Sequence, residues 1–157
     1  MSNGTQSAAT EPLRQVAGQG ETWLLPDRLF DGRGLRSAAA LVVRNGRVDR
    51  IAPAADAPPD HQVIGGVLSP GFIDLQVNGG GGVLLNTSPD IDGITAIAEA
   101  HRGLGTAGIL PTVITDGPEV LARVVDAAID AKGKSGILGL HIEGPHISQA
   151  RRGTHAA

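Results

Sequence analysis

Apolar and polar positions alternate over short runs in the first half of the chain, which is the period of a β-strand. One such run, residues 39–43, is followed by Asn45-Gly46 and by a second run at 48–51. Because Asn-Gly tolerates the positive φ angles of a two-residue turn, this stretch predicts a β-hairpin. The Ala- and Pro-rich segment 52–59 predicts a loop, and Val63-Ile64 predicts a return to extended structure.

The second half of the chain instead switches between strand-like and helix-like spacing. The expected elements are a strand at 72–77, a helix from Ser88-Pro89 to Gly105, a strand at 109–115, a helix from Pro118 to Lys132-Gly133 and a strand at 137–142. Short linkers between alternating strands and helices predict an α/β fold with a parallel sheet. The pattern fits both an open doubly wound sheet and the first three strands of a (β/α)₈ barrel, and the period cannot separate them.

Composition narrows the class of protein. Aromatic residues make up only 2% of the 157 residues and apolar residues 41%, so the core is built from aliphatic side chains, as in sheets covered by helices. A net charge of −3 gives no electrostatic reason to expect nucleic acid or an anionic membrane as a partner. The absence of cysteine leaves His, Asp and Glu as the available metal ligands.

The first 20 residues are small and polar, without the basic and apolar blocks of a signal peptide. They predict a disordered tail on a cytoplasmic protein. No apolar run in the sequence approaches the roughly 18 residues of a membrane span, so we expect no membrane partner.

Glu143 is the first candidate for chemistry. It ends the apolar run 137–142 and precedes Gly144-Pro145, so it lies at the carboxyl end of a strand, where α/β barrels gather their ligands. The competing interpretation is a solvated turn residue. His141, inside the same run, is better interpreted as a hydrogen-bonded core histidine.

Two further groups of polar residues are candidates. His146 and His155 share a loop with Arg151 and Arg152, which suits an anionic or polyhydroxylated substrate but is also typical of a solvated loop. The glycine run 79–82 predicts a flexible loop between a strand and a helix, where backbone N–H groups can hold a phosphate. It matches neither the dinucleotide-binding nor the P-loop spacing, so nucleotide binding is a weak hypothesis.

Gln76 and Asn78 end the first strand of the second half. Many metal-dependent hydrolases carry His-x-His here, because side chains at i and i+2 point to one face and hold one ion. Neutral amides bind zinc poorly, so this pair predicts at most one tightly held metal ion.

Four phrases together resemble the N-acetylglucosamine-6-phosphate deacetylases of the amidohydrolase superfamily, in order and spacing, over residues 22–157. They are the segment 68–79, which contains Pro-Gly-Phe-Ile-Asp and Gln-x-Asn-Gly, the segment 110–115, the segment 139–145, which contains His-x-Glu-Gly-Pro, and Gly153-Thr154-His155. The Pro-Gly-Phe-Ile-Asp phrase is shared by many amidohydrolases. Its combination with the other phrases is what makes the resemblance specific.

The resemblance implies roles for five residues. Glu143 would be the carboxylate ligand of one divalent metal ion, usually zinc, which two histidines from later strands complete. Gln76 and Asn78 would be vestigial positions of a second metal site, and Thr154 and His155 would contact the substrate. The general base would lie beyond Ala157, so no catalytic residue is expected within the chain.

The resemblance also implies a fold and a reaction. We expect an α/β protein with a tail at 1–20, part of a small β-sandwich at 21–66, and an incomplete TIM-like (β/α)₈ barrel of about three βα units at 67–157. The expected reaction is hydrolysis of the acetyl amide of N-acetylglucosamine 6-phosphate, a phosphosugar, to glucosamine 6-phosphate and acetate. The full-length enzyme is expected to be a homo-oligomer.

The alternatives concern the short length of the chain and its superfamily. A complete barrel takes roughly 250 residues, so we expect a truncated chain that is inactive alone. It could also be an inactive fragment or a binding-only remnant. A relative of dihydroorotase or adenine deaminase is a further alternative, which the missing His-x-His disfavours.

Overall fold

A computed structural model describes residues 20–153 and residue 155. Apart from Gly20, the expected tail lies outside the described residues, as does Thr154. The chain divides after Pro70 into two compact units. We call residues 20–70 the N-terminal unit and the described residues from Gly71 onward the C-terminal unit. Strands outnumber helices, and the predicted α/β class is confirmed.

The N-terminal unit is one five-stranded sheet. Its strands are β1 (Glu21–Phe30), β2 (Leu35–Arg36), β3 (Ala39–Arg44), β4 (Arg47–Pro53) and β5 (Gln62–Leu68). The strand order is β2-β1-β3-β4, and β5 also pairs with β1. The β1–β5 pairing is parallel, whereas β1 pairs antiparallel with both β2 and β3. A short 3₁₀ helix, Ala54–Asp56, follows β4.

The hairpin predicted around Asn45-Gly46 is confirmed. Strands β3 and β4 pair antiparallel up to Arg44 and Arg47, and the two turn residues have φ angles of 52° and 73°. These angles suit a type I′ turn, which matches the twist of the flanking strands. Ala40 and Val42 are fully buried, so the hairpin presents one face to the interior of the unit.

The C-terminal unit contains a parallel sheet and two helices. Its elements are β6 (Phe72–Val77), β7 (Gly79–Gly80), β8 (Val83–Leu84), α1 (Ile91–Arg102), β9 (Thr106–Ile114), α2 (Pro118–Ala131) and β10 (His141–Glu143). A second short 3₁₀ helix is Gln149–Arg151. The main sheet has the order β10-β9-β6, and both pairings are parallel. Neither helix is long and apolar enough to cross a membrane, among the residues that the structure describes.

Helix α1 begins two residues later than predicted. The N-cap is Asp90, whose carboxylate accepts a hydrogen bond of 2.8 Å from the Gly93 amide. Ser88 belongs to a preceding turn, in which its amide donates to the Leu84 carbonyl. Aspartate is as good an N-cap as serine, so composition alone did not choose between them.

Two other predicted segments also differ from the structure. The glycine run 79–82 is not a flexible loop, because strands β7 and β8 form a two-stranded hairpin with Gly81 and Gly82 at its turn. The last strand is shorter than the predicted 137–142. Only an isolated bridge joins Ile137 to Ile109, and regular pairing resumes at His141.

The core of the C-terminal unit lies between the sheet and the helices. Its buried residues are Val77, Leu85, Ile94, Ile97, Ala98, Ile109, Val113, Val124, Ala128, Ala131 and Ile137. Val113 therefore packs with the residues of the two helices. Leu110, Thr112 and Ile114 alternate with it, so they occupy the opposite face of β9.

Candidate active site

The carboxyl ends of β6, β9 and β10 bring a group of polar residues together. Parallel strands end at the same edge of a sheet, so residues that are far apart in sequence meet there. The group consists of Gln76, Asn78, Thr115, Glu143 and His155, which we call the strand-end site. Four of these five residues are the candidates taken from the sequence, and Thr115 is an addition.

Glu143 lies at the centre of the strand-end site. Gln76 Nε2 and Asn78 Nδ2 donate hydrogen bonds of 3.1 and 3.3 Å to its Oε2 atom. His155 Nε2 lies 3.5 Å from the other oxygen, Oε1. The Glu143 side chain remains 33% exposed. Two neutral amides thus fix the carboxylate while its negative charge remains available.

The pairing of Gln76 with Asn78 follows from the geometry of β6. Side chains at i and i+2 of a strand lie on one face, and both of these reach the same carboxylate oxygen. Because a carboxylate only accepts hydrogen bonds, the amide NH₂ groups face it. The positions where His-x-His would supply metal ligands are occupied here by hydrogen-bond donors to Glu143.

Thr115 is the residue that sequence reasoning missed. Its Oγ1 atom lies 3.0 Å from His155 Nδ1 and 3.4 Å from the carbonyl oxygen of Glu143. A Cβ atom at Gly144 would lie 2.2 Å from Thr115 Oγ1, and Gly144 has a φ of 105°. The glycine after Glu143 is therefore required by both backbone conformation and space. Gly144 was therefore the signal in the sequence from which a close approach of another side chain to this backbone could have been inferred.

Thr112 links β9 to both neighbouring strands. Its side chain is fully buried, and its Oγ1 accepts a hydrogen bond of 2.9 Å from the Val77 amide. The same oxygen lies 3.4 Å from His141 Nδ1. His141 therefore has a hydrogen-bonding neighbour inside the sheet, in agreement with its interpretation as a structural histidine.

Asn86 holds the segment on either side of Thr115. Its Oδ1 accepts from the Ile114 amide at 3.1 Å, and its Nδ2 donates to the Ile114 carbonyl at 3.1 Å and to Asp116 at 2.8 Å. The Asn86 hydrogen bond, followed by the backbone amide of Gly117, lowers the pKa of Asp116. The Asn86 side chain thus fixes the end of β9 next to the strand-end site.

Glu143 is chemically suited to a metal, but the described residues do not complete a metal site. Carboxylate oxygen is a good ligand for zinc, and the Oε1 atom has no amide donor within the strand-end site. No group of three or more His, Cys, Asp or Glu side chains converges among residues 20–153 and 155. His146, Arg151 and Arg152 are exposed.

Comparison with known proteins identifies relatives of this chain. The chain is 48% identical over 100 residues to an N-acetylgalactosamine-6-phosphate deacetylase of Shewanella, covering 62% of this chain and 25% of the relative. It is 33% identical over 159 residues to the N-acetylglucosamine-6-phosphate deacetylase of Rattus norvegicus, covering 96% of this chain and 37% of the relative. No family model matches the chain.

Solved structures agree with the sequence relatives. The crystal structure of N-acetylglucosamine-6-phosphate deacetylase from Pasteurella multocida superposes with a TM-score of 0.80 at 31% identity, over 87% of this chain and 38% of that one. The enzyme from Mycobacterium smegmatis, in complex with N-acetyl-D-glucosamine-6-phosphate, gives a TM-score of 0.70 at 29% identity, over 82% and 34%.

The chain thus spans only part of the length of its relatives, between 25% and 37% of the two curated proteins. Within that stretch, three of these four proteins carry the name of the family inferred from the motifs, and the fourth is a deacetylase named for the galactosamine sugar. The resemblance is confirmed: this chain is homologous to the N-acetylglucosamine-6-phosphate deacetylases over a part of their length.

Proposed function

We propose that the protein carrying this chain hydrolyses the acetyl amide of N-acetylglucosamine 6-phosphate to glucosamine 6-phosphate and acetate. The observation that carries the proposal is the strand-end site, in which Gln76, Asn78 and His155 converge on Glu143. Its support is the similarity to named deacetylases across 96% of the chain.

Glu143 is proposed as one ligand of a single divalent metal ion, with zinc as the expected ion. Such an ion, when bound, activates water for attack and polarises the amide carbonyl. Gln76 and Asn78 orient the carboxylate by holding its Oε2 atom. In this role they are positioning residues at the location of a lost second metal site.

His155 and Thr154 are proposed to contact the substrate. The His155 side chain is only 11% exposed and lies beside Glu143, so a sugar or acetyl group bound at the carboxylate would also reach the imidazole. Thr154 is assigned from its place in the motif alone, because it lies outside the described residues.

The proposed scaffold is the one implied by the resemblance. Residues 67–157 would form the first βα units of a (β/α)₈ barrel, supported by the parallel order β10-β9-β6 and the helices α1 and α2 between these strands. Residues 21–66 would form part of a small β-sandwich. The homo-oligomer and the cytoplasmic location stay predictions.

A second substrate has a specific observation in its favour. Over 100 residues the chain is 48% identical to a deacetylase named for N-acetylgalactosamine 6-phosphate. The two sugars differ only in the configuration at C4, so both fit the same reaction. The choice between them is an outcome of the assay.

The test is acetate release by the complete gene product that contains this chain. Zinc-loaded protein is incubated in parallel with N-acetylglucosamine 6-phosphate and N-acetylgalactosamine 6-phosphate, and the larger kcat/KM identifies the substrate. The 157-residue chain alone is expected to release none, since one carboxylate is not enough to hold zinc tightly. No release from either sugar by the complete protein would reject the proposed function.

The role of Glu143 is tested by Glu143→Gln in the same protein. We expect loss of bound zinc and of activity, because a neutral amide replaces an anionic ligand. Glu99→Gln is the matched control, since Glu99 is an exposed carboxylate on α1, and we expect it to change neither property. Full zinc content and normal turnover in Glu143→Gln would make Glu143 a loop carboxylate only.

A further inference from the structure

His101 connects helix α1 to the glycine-rich hairpin of β7 and β8. It lies in the last turn of α1, and its Nε2 atom is 2.9 Å from the carbonyl oxygen of Gly79. A carbonyl oxygen only accepts hydrogen bonds, so the imidazole Nε2–H is the donor of this contact. Gly79 is the first residue of β7 and directly follows Asn78, whose side-chain amide donates to Glu143. The hydrogen bond of His101 is thus one residue away from the strand-end site.

The hairpin of β7 and β8 packs on α1. Its two strands form a sheet of their own, separate from the main sheet β10-β9-β6. The imidazole of His101 lies against its backbone, since a Cβ atom at Gly80 would be 2.9 Å from His101 Cδ2 and 3.3 Å from the Ile97 carbonyl oxygen. Glycine at position 80 therefore allows a close approach of the hairpin to the helix, and His101 adds a hydrogen bond to that contact.

Asn78 has a backbone anchor on each side. Before it, the Val77 amide donates to the hydroxyl of the fully buried Thr112 at 2.9 Å. After it, the Gly79 carbonyl accepts from the His101 ring, also at 2.9 Å. The side-chain hydrogen bond from Asn78 to the Glu143 carboxylate is longer, at 3.3 Å, and Asn78 is exposed. Water competes for such a bond, so the bond depends on where the two anchors hold the backbone of Asn78.

We propose that His101 is a positioning residue for Asn78 and, through Asn78, for the Glu143 carboxylate. Without the imidazole, the Gly79 carbonyl loses its donor and the backbone after Asn78 is free to move. The Asn78 amide then leaves Glu143 Oε2, and of the two amides only Gln76 still holds that oxygen. The consequence for catalysis rests on the proposed function, in which a correctly oriented Glu143 is a metal ligand.

The experiment follows the side-chain amide of Asn78 by NMR in the complete gene product, without metal or substrate. The protein carries ¹⁵N in its asparagine side chains only, and Asn78→Ala identifies the Asn78 signal. Glu143→Gln gives the reference position of this signal when the carboxylate acceptor is absent. His101→Leu removes the imidazole donor. His101→Gln restores a donor, because the amide nitrogen of glutamine can take the place of Nε2.

Two controls separate positioning from a general loss of structure. The side-chain amide of Asn86, identified by its own alanine variant, is an internal control in the same spectrum, since it bonds Ile114 and Asp116 at the end of β9. His61→Leu is the matched histidine control. His61 Nδ1 also contacts a backbone carbonyl, that of Pro58 at 2.7 Å, but it does so in the N-terminal unit.

We expect the Asn78 signal of His101→Leu to move toward its position in Glu143→Gln. In His101→Gln and His61→Leu it should keep the parent position, and the Asn86 signal should keep its position in all three histidine variants. An unmoved Asn78 signal in His101→Leu would overturn the inference. So would an Asn86 signal that moves together with it, or a His101→Gln signal displaced as far as that of His101→Leu.

Gly80→Ala reaches the same contact from the hairpin, and it replaces His101→Leu if that variant does not fold. The new Cβ atom would crowd the ring, so the Asn78 signal should again move toward the Glu143→Gln reference, and an unmoved signal would again overturn the inference. Because this readout needs neither substrate nor metal, the expected response of Asn78 without acetate release would reject the proposed function and leave the inference standing.

The catalytic consequence is measured as acetate release by the complete gene product, in a double-mutant cycle of His101→Leu and Asn78→Ala. Each single change should lower kcat/KM by about two- to tenfold, the effect of losing one hydrogen bond. If His101 acts through Asn78, the double variant should be no slower than Asn78→Ala, because the interaction has already been removed. Losses that multiply in the double variant would show that His101 acts on another group, and they would overturn the inference.

Discussion

The two units of this chain each contain a carboxylate with several hydrogen-bonding neighbours, and those neighbours differ in charge. In the N-terminal unit, Glu21 bonds both Arg44 and Arg50, and the Arg50 guanidinium also lies 5.2 Å from the centre of the Trp23 ring. In the C-terminal unit, Glu143 is held by the neutral amides of Gln76 and Asn78. The first carboxylate is paired with two arginines, whereas the second has two neutral amides and the His155 ring as its neighbours.

The difference is between a carboxylate paired within its own unit and a carboxylate proposed to bind a metal ion. The hydrogen bond from Arg50, with further contributions from Trp23 and the neighbouring charges, lowers the pKa of Glu21 to about 2. The Glu21 carboxylate is thus already paired with side chains of its own unit. Glu143, the proposed metal ligand, is instead bonded by Gln76 and Asn78, which lie 67 and 65 residues away in sequence. The comparison predicts that a substitution in one unit changes the unfolding of that unit more than the unfolding of the other.

The largest effect is expected from the core of the C-terminal unit. Ile97 on α1 is fully buried, so Ile97→Ala should cost about 2–5 kcal/mol of the unfolding free energy through lost burial and the cavity left behind. Ile129→Ala on α2 is the control, since Ile129 is 67% exposed and should change stability little.

Because the chain has a single tryptophan, the unfolding of the two units can be followed by separate signals. Trp23 lies in the N-terminal unit, and both α1 and α2 lie in the C-terminal unit, so fluorescence and helical circular dichroism report on different units. In denaturant, Ile97→Ala should shift the dichroism transition more than the fluorescence transition. Equal shifts would show that the two units unfold together. The difference between the units would then have no counterpart in their stability.

A smaller loss is expected from Thr112→Val. The change leaves the buried Val77 amide without its acceptor, which should cost about 1–3 kcal/mol of unfolding free energy. Thr112→Ser is the control, because it keeps the hydroxyl oxygen at the β6–β9 junction. The loss should appear in the dichroism transition. A valine variant as stable as the serine variant would mean that this hydrogen bond contributes nothing.

Local signals in the sequence predicted local structure well. Asn45-Gly46 predicted the hairpin because a two-residue turn depends on the φ angles of those two residues alone. Helix α1 was predicted from its apolar spacing, yet its first residue was misplaced, since Ser88 and Asp90 are both good caps. The last strand was predicted too long, because the apolar run 137–142 does not reveal where pairing with β9 is interrupted.

The strand-end site was predictable only in part. Glu143, Gln76 and Asn78 could be chosen because strand ends and side-chain period indicate where they point. Thr115 could not be chosen in this way, since its role depends on the approach of Gly144 and His155, which are 29 and 40 residues further along the chain. Contacts of this kind follow from the packing of three strands and not from any one segment.

A modest effect, confined to the N-terminal unit, is expected from Gly46→Ala. Gly46 has a φ of 73°, where a side chain costs roughly 1–2 kcal/mol. Gly34→Ala is the control, because Gly34 has no positive φ and no atom would lie within 4 Å of the new Cβ. The fluorescence transition should move in Gly46→Ala only. A shift of the same size in Gly34→Ala would mean that the turn conformation is not the cause.

The smallest effect concerns acid, and it tests the compensated carboxylates directly. The pKa of Glu21 is lowered from 4.5 to about 2, mainly by Arg50, and the pKa of Asp31 is lowered from 3.8 to about 2, mainly by the backbone amides of Gly34 and Arg33. A folded-state pKa below the unfolded value adds stability that is present above the unfolded pKa and is lost as the pH falls toward the folded pKa. The denaturant midpoint reported by Trp23 should therefore decline between pH 4.5 and about 2.

Glu21→Gln should make that decline shallower, because the variant has no carboxylate at this position to protonate. Asp60→Asn, in an exposed turn, should leave the slope unchanged. The effect is small because these ion pairs are exposed and are screened by salt, so it should shrink further as the ionic strength rises. If Glu21→Gln and the parent lost stability in parallel down to pH 2, the ion pairs of Glu21 with Arg44 and Arg50 would not contribute to the stability of the N-terminal unit.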